Sequence, residues 1–211
     1  LTIVVTIIAM VAAVAIPTYV SARSSSNENA AIATLRHIAT AQAQLVACAA
    51  IDSNANGGGE VGYFGELTGA TPIRVYTPTG PAVGGPSQRL DPELLGVRFE
   101  RIVSDGTDGV AMIGGYYFKM FLPDGNEFAP VGGIGEAPLG GARAGALPGA
   151  SNSERLWVCY AWPVRHARTG HRAFFINQNG ELYSTRNYPG QLDGPYTGLT
   201  RLPAVDAIFS M

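Results

Sequence analysis

The stretch that decides the fold is LTIVVTIIAMVAAVAIPTYVSA, which runs from Leu1 to Ala22. None of its residues is charged, and fourteen of the first sixteen are apolar. As a helix at 1.5 Å per residue it extends about 33 Å, which is enough to cross the hydrocarbon core of a bilayer. The N-terminal segment is therefore membrane-competent.

Three interpretations of this segment compete. A secretory signal peptide agrees with the small residues at positions 13–15, but no basic region precedes the apolar run. A plain transmembrane anchor agrees with the length, but Pro17 interrupts the run and no cluster of Lys or Arg sets an orientation. The third interpretation is a helix that starts in a membrane and ends packed among copies of itself.

The residues after Pro17 favour the third interpretation. Between Thr18 and Ala50 there is no further Pro and no Gly, and Ala is frequent, which favours a continuous helix. Apolar residues recur there at spacings of three and four and form one stripe, namely Ile32, Leu35, Ile38, Ala41, Leu45 and Ala49. The pattern predicts one helix of about fifty residues, apolar over 1–22 and amphipathic over 23–50.

The motif Ala-Ile-Pro-Thr-Tyr at 15–19, followed by Ala22-Arg23 and a polar Asn/Glu stretch, resembles the N-terminal region of type IV pilins and type II secretion pseudopilins. The resemblance is confined to residues 1–50, and for the rest of the chain it implies only an architecture. That architecture is an α+β, type IV pilin-like fold, with a long N-terminal helix on an antiparallel sheet and long Gly/Pro-rich loops. The resemblance also implies cleavage by a prepilin peptidase, N-methylation of the first mature residue and an inner-membrane assembly platform.

Two departures from the family pattern concern the N-terminus. Counting back from Pro17, the family's glutamate and methylated residue fall upstream of Leu1, and we expect that a few residues precede Leu1. Ala9 replaces the family's helix-breaking glycine. Local melting between Ala9 and Pro17 on assembly is therefore a hypothesis that rests on Pro17, which removes one backbone hydrogen bond.

The resemblance and the burial of apolar surface predict the same function, a structural subunit of an extracellular filament. Copies of the helix packed at the filament centre would replace the burial that the inner membrane supplies before assembly. A head-to-tail contact between copies that does not close produces an open fibre. Alternatives are a major pseudopilin of a type II secretion system and a membrane-anchored binding or adhesion module. The predicted filament-core residues are Leu1, Ile3, Val4, Ile7, Ile8, Val11, Val14 and Pro17.

Residues 51–211 are predicted to form one β-rich head. Segments rich in β-branched and aromatic residues indicate strands at 97–103, 115–122, 156–162, 172–177 and 181–185. Asn179-Gly180 between the last two predicts a hairpin with a type I′ turn. The stretches 81–86 and 131–148 indicate surface loops.

Calcium is the one candidate cofactor. Asp52, Asn54, Asn56 and Gly57 match the D-x-N-x-N-G opening of a calcium loop, in which oxygen ligands alternate before a sharp turn. The closing glutamate of an EF-hand would fall at Tyr63, so the match is incomplete. The alternative is a polar turn that ends the long helix, with Asp52 as a local cap. The predicted ligands are Asp52, Asn54, Asn56, Gly58 and Glu60.

The two cysteines allow two interpretations. Cys48 lies near the end of the long helix and Cys159 in a predicted core strand, two elements that we expect to face each other. A disulfide across about 110 residues is expected in an oxidising compartment and would stabilise by roughly 4–5 kcal/mol. The alternative is two buried free thiols that pack as small apolar residues.

Composition and charge exclude several function classes. With 46% hydrophobic residues, 14% charged residues, 27 Gly and 14 Pro, the chain fits one folded domain plus an appendage. Because 14 Lys and Arg face 16 Asp and Glu, we expect no nucleic-acid partner. No Walker, dinucleotide-binding or nucleophile-elbow motif is present, so we do not expect an enzyme. The basic residues at 165–172 indicate a solvated loop or, alternatively, a site for an anion or for an acidic patch of the next subunit.

Overall fold

The computed structural model describes residues 2–126, 132–188 and 195–207. Its first element is α1, Thr2–Cys48, a helix of 47 residues that continues through Pro17. At 1.5 Å per residue α1 is about 70 Å long. The predicted long helix is confirmed. Ala49 ends it, because its φ of +46° leaves the helical region.

The second half of α1 packs on the head through one stripe at helical spacing. The side chains that are buried there are Ser24, Glu28, Ala31, Leu35, Ile38, Ala41, Gln42 and Leu45. The observed stripe differs slightly from the predicted one, since Ile32 is only half-buried and Ala49 is exposed.

Nine strands are described, together with two short helices and a 3-10 helix. A separate hairpin pairs β1 (Arg74–Thr77) with β2 (Gly80–Val83). The main sheet is antiparallel throughout and has the order β3-β4-β5-β7-β8-β9, with β6 also paired to β5. Its strands are β3 Ile102–Ser104, β4 Gly109–Ile113, β5 Tyr116–Pro123, β6 Gly133–Gly135, β7 Val158–Pro163, β8 Ala173–Asn177 and β9 Leu182–Thr185. The short helices are α2 Phe64–Leu67 and α3 Ala150–Ser153, and the 3-10 helix is Val97–Phe99.

Both faces of the main sheet are covered. Because successive residues of a strand point to opposite faces, each central strand contributes to two cores. On one face, Phe118, Cys159 and Phe174 pack with the buried stripe of α1. On the other face, Tyr160 and Trp162 pack under the segment 196–207. This segment is held by hydrogen bonds from the Tyr160 hydroxyl to Val205 O (2.9 Å) and from Trp162 Nε1 to Gly198 O (2.8 Å).

Four of the five predicted strands are confirmed within one or two residues, as β5, β7, β8 and β9. The fifth prediction, 97–103, is wrong in its first half, which forms the 3-10 helix. The hairpin between β8 and β9 is also confirmed, but its turn is not type I′, because Gly180 (φ +73°) and not Asn179 is left-handed. The predicted loops at 81–86 and 131–148 contain parts of β2 and all of β6. Both strands are short and lie at edges, where Pro81 and the glycines of β6 are tolerated.

Candidate functional site

The half of α1 that precedes Ser24 lies outside the head. Its large apolar side chains keep between 39% (Val20) and 76% (Ile3) of their surface exposed. Of the predicted filament-core residues, those that are described in this exposed half are Ile3, Val4, Ile7, Ile8, Val11, Val14 and Pro17. Leu1 lies outside the described residues.

The predicted contact residues share one face of this exposed half. Members of this set that are neighbours on the helix surface are three, four or seven residues apart in sequence, which places them along one stripe of the helix. The set consists of Ile3, Val4, Ile7, Ile8, Val11 and Val14. The same face carries a shallow groove lined by Met10, Val11, Val14, Ala15, Thr18, Tyr19 and Ala22. Small side chains between larger ones form the kind of surface into which the ridge of a second helix packs.

By length and composition α1 is able to cross a membrane. Its most apolar window of 18 residues has a mean hydropathy of 2.4, and none of that window is buried in the head. A core helix of a soluble protein would pass the length test but would be buried. The N-terminal helix could therefore anchor the chain in a membrane.

A polar clamp fixes α1 to the head one turn beyond Arg23. The Glu28 carboxylate accepts hydrogen bonds from the N–H of His171 (2.8 Å) and from Arg172 Nε (2.7 Å). Asn27 Nδ2 donates to Thr169 O at 2.9 Å. These bonds join α1 to the loop between β7 and β8, so the head begins at a defined height along the helix.

The family models, the curated proteins and the solved structures contain no match to this chain. The likeness to type IV pilins therefore rests on the N-terminal residues alone, and the structure shows an α+β arrangement of a long apolar helix and an antiparallel sheet.

Replacing Glu28 by alanine is expected to loosen the clamp. Burial raises the pKa of Glu28, but the bonds from His171 and Arg172 more than offset this effect and hold the pKa below its ordinary value. A lowered pKa means that the carboxylate stabilises the fold at neutral pH and stops doing so as the pH falls through that pKa. E28A should therefore cost about 1–3 kcal/mol of unfolding free energy at pH 7.

Urea unfolding followed by tryptophan fluorescence in detergent measures this effect. The difference between the wild type and E28A should shrink below about pH 4, where an ordinary glutamate is protonated. Glu93→Ala, at an exposed position of the head, is the matched control. A difference for E28A that is the same at pH 7 and pH 3 would contradict the clamp.

The predicted calcium loop is closed by its own hydrogen bonds. Asp52 accepts the backbone N–H groups of Asn56 and Gly57 at 3.2 and 2.9 Å. Asn54 and Asn56 donate to Glu154 Oε1 at 3.2 and 2.7 Å. Glu154, which follows α3, is therefore the carboxylate that contacts Asn54 and Asn56 of this loop, and Glu60 is not. Because Glu154 lies about 100 residues further along the chain, the spacing of the loop motif did not indicate that it contacts this loop.

The other predicted ligands are used differently. Gly58 donates its N–H to Asn56 Oδ1 at 2.7 Å. Glu60 is fully buried and is bound by Ser53 Oγ (2.7 Å) and Arg74 Nη1 (3.0 Å). Within residues 2–126, 132–188 and 195–207 no three His, Cys, Asp or Glu side chains form a group that could hold a metal.

Calcium binding by this loop stays a prediction. The expected result is a rise in thermal midpoint on adding calcium that a chelator reverses. Because Asp52 and Glu154 carry the charges at this loop, D52N with E154Q should abolish the rise, while E93Q at an exposed site should keep it. If calcium does not change the thermal midpoint of the wild type, the prediction that this loop binds calcium is contradicted.

The predicted disulfide is absent, and both Cys48 and Cys159 are free thiols. Cys48 lies in the last turn of α1 on its exposed side, and its Sγ contacts Leu45 O at 3.2 Å. Cys159 is buried in the core between the sheet and α1, a core that includes Leu45 and not Cys48. The prediction was wrong about which side of the helix carries Cys48, because Leu45 is the last residue of the buried stripe of α1 and Cys48 lies on the exposed side.

Thiol labelling checks this placement. Cys48 should react with a soluble maleimide in the native protein within minutes. Cys159 should react only after unfolding, because burial raises its thiol pKa and blocks access. A gel shift on reduction of the monomer, or labelling of both thiols in the native state, would contradict it.

A buried ionic cluster at the far end of α1 went unpredicted. The Arg74 guanidinium is fully buried and contacts Glu60 Oε2 (3.0 Å) and Glu66 Oε1 (3.1 Å). It also donates to Val61 O and lies 6.0 Å from the centre of the Tyr63 ring. The cluster joins β1 to the segment 60–66. The one sequence signal for it was an arginine within the apolar run Ile73-Arg74-Val75.

Glu136 is a third buried carboxyl near this cluster. Its Oε1 accepts the backbone N–H groups of Gly65 (2.6 Å) and Gly141 (2.8 Å). Its Oε2 has no hydrogen-bond partner among the described residues. Burial and the charge of Glu66 raise the pKa of Glu136 to about 8, against the two N–H donors that lower it. The raised pKa favours the neutral, protonated form of Glu136 beside the cluster.

Proposed function

We propose that the chain is a structural subunit of a type IV pilus-like filament. It is held in the inner membrane by the exposed half of α1 and is transferred from there into an extracellular fibre of identical copies. The partners implied by the resemblance are a prepilin peptidase and an inner-membrane assembly platform.

The observation that carries the proposal is the exposed apolar half of α1 on a head whose own core is closed. Leu35, Ile38 and Leu45 of the second half of α1 pack in the core against the sheet, whereas none of the most apolar 18-residue window of α1 is buried in the head. An apolar surface of this size does not stay in water. It has two possible environments, the acyl chains of a bilayer or other copies of the same helix.

The face that carries Ile3, Ile7, Val11 and Val14 favours the second environment as the final one. A plain anchor needs apolar residues all round, but it needs no groove. The groove that includes Ala15 and Ala22 gives a second helix room for close packing. A contact in which the groove of one copy receives a different surface of the next does not close and produces a fibre.

Overfilling the groove tests this packing without making the helix less apolar. Ala15→Leu adds three carbons inside the groove and should abolish or shorten fibres in electron micrographs of sheared material. Ala13→Leu makes the same change two positions away, roughly on the opposite face of the helix, and should keep them. Both variants should remain in the membrane fraction after an alkaline wash.

The outcomes separate the candidate functions. Fibres that contain this chain as the dominant band support a pilus, and short fibres that stay with the cell envelope favour a pseudopilus. The wild-type chain is expressed together with its assembly system. If it then stays monomeric in the membrane, the filament proposal is overturned. The remaining candidate is a membrane-anchored binding or adhesion module.

A further inference from the structure

A cleft lies where α1 leaves the head. It is lined by Tyr19, Val20 and Arg23 of α1 and by Val164, Arg165, Arg168 and Thr169 of the loop between β7 and β8. One wall is thus the last turn of the exposed apolar half, and the other is a basic loop of the head. The side chains of all three arginines are exposed.

The loop is held rigidly beside the helix. Besides the bond from Asn27 to Thr169, the Thr169 hydroxyl accepts the N–H of Arg165 at 3.1 Å. Gly170 is buried so closely against Tyr116 that a Cβ there would lie 2.0 Å from the Tyr116 hydroxyl. Arg165 and Arg168 are therefore presented at a fixed height along α1, close to Arg23.

The positive charge of the cleft is not compensated. No Asp or Glu occurs before Glu28 or between Glu154 and Glu181, and Glu28 is bound to Arg172. In the part of the chain that the structure describes, Arg23, Arg165 and Arg168 form no ion pair. Three exposed arginines without a carboxylate partner among the described residues thus lie together at the end of the head from which the apolar half of α1 emerges.

We propose that this cleft binds the headgroup of an anionic phospholipid while α1 spans the membrane. Residues 2–22 extend about 30 Å, the thickness of the hydrocarbon core, so the cleft falls in the headgroup layer. Guanidinium groups bind phosphate oxygens in a bidentate manner. Tyr19 and Val20 continue the cleft as an apolar surface for the acyl chain, which a free phosphate would not use. The inference rests on the membrane stage of the proposed function.

Lipid selection by the full chain in vesicles tests the proposal. Vesicles of phosphatidylcholine with a minority of phosphatidylglycerol are prepared with a spin-labelled trace of either lipid, and electron paramagnetic resonance reports the immobilised fraction. The wild type should prefer phosphatidylglycerol at least about fivefold at low ionic strength, the effect expected from one arginine near the surface. About 1 M salt, which shortens the screening length to about 3 Å, should weaken the preference.

The decisive variant is R23Q/R165Q/R168Q, which should lose the preference. The control R98Q/R101Q/R155Q removes the same charge from exposed arginines elsewhere on the head and should keep it. Arg155 lies beside Ala39 and Val46, about 24 Å or more along α1 from Arg23. Intact tryptophan fluorescence spectra and unfolding midpoints show that both variants are folded.

Each remaining outcome has one meaning. Equal preference in the wild type and R23Q/R165Q/R168Q overturns the lipid site. An unchanged lipid preference together with lost fibre formation assigns the arginines to an acidic surface of the next subunit and also overturns it. A chain that alkaline washing removes from the vesicles contradicts the membrane stage of the proposed function, whereas a retained chain without lipid preference contradicts this inference alone.

Discussion

Arg74→Met is expected to unfold the head, or to leave it folded with about 3–5 kcal/mol less stability. The substitution keeps the apolar stem of the side chain and removes the charge that Glu60 and Glu66 share. Both carboxylates are fully buried. A loss of this size is a large part of the total stability of a single domain, which is about 5–15 kcal/mol.

The size of the effect follows from the number of groups that one guanidinium satisfies. Glu66 Oε2 accepts the Tyr63 N–H at 2.9 Å and its Oε1 accepts the Arg74 N–H at 3.0 Å, so this carboxylate also orders the first turn of α2. The Tyr63 hydroxyl donates to Ile134 O in β6 at 2.8 Å. Loss of the Arg74 charge therefore affects the contact between α2, β1 and the main sheet together.

Two further variants keep the prediction testable. Arg98→Met removes an exposed arginine and should change the midpoint of thermal unfolding by little. R74M/E60Q/E66Q removes the negative charges as well and should recover part of the lost stability. Replacing all charged partners of a buried ion pair costs far less stability than removing one partner and leaving the other charge buried. An R74M protein as stable as R98M would show that the cluster contributes nothing to the fold.

The long helix was predictable because its pattern is local. Residues 1–22 lack charge and residues 23–50 lack Gly and Pro, and both features are read directly from neighbouring positions. The strands β5, β7 and β8 were predictable for the same reason, since each is a dense run of aromatic and β-branched residues. Local patterns do not reveal that segment 196–207 covers the second face of the sheet, because that segment is short and irregular.

The candidate ligands and the cysteine pair show where local patterns fail. Glu60 fits a calcium loop by spacing, but the chain turns so that it meets Arg74, fourteen residues later. Cys48 and Cys159 lie on facing elements, but one step of about 100° along the helix decides whether a side chain faces the sheet. Pairings across distant segments depend on the packed core and not on the spacing of a motif.

Between about pH 5 and pH 8, Glu136 is expected to make the head less stable as the pH rises, because its carboxyl holds a proton in the folded chain that it has lost in the unfolded chain. In the unfolded chain this carboxyl has a pKa of about 4.3. In the folded chain burial and the charge of Glu66 raise the pKa to about 8, in spite of the hydrogen bonds from Gly65 and Gly141. The folded state therefore binds the proton more tightly, and it loses that advantage as the proton is removed.

Glu136→Gln isolates this contribution. The amide oxygen still accepts the two N–H groups, and the side chain no longer titrates. As the pH rises, the unfolding free energy of E136Q should therefore increase relative to that of the wild type. Other groups, among them Glu28 and His166, titrate in both proteins and cancel in that difference. Urea unfolding in detergent at pH 5, 6, 7 and 8 measures it. A difference that stays constant over this range would mean that Glu136 is already ionised in the folded head.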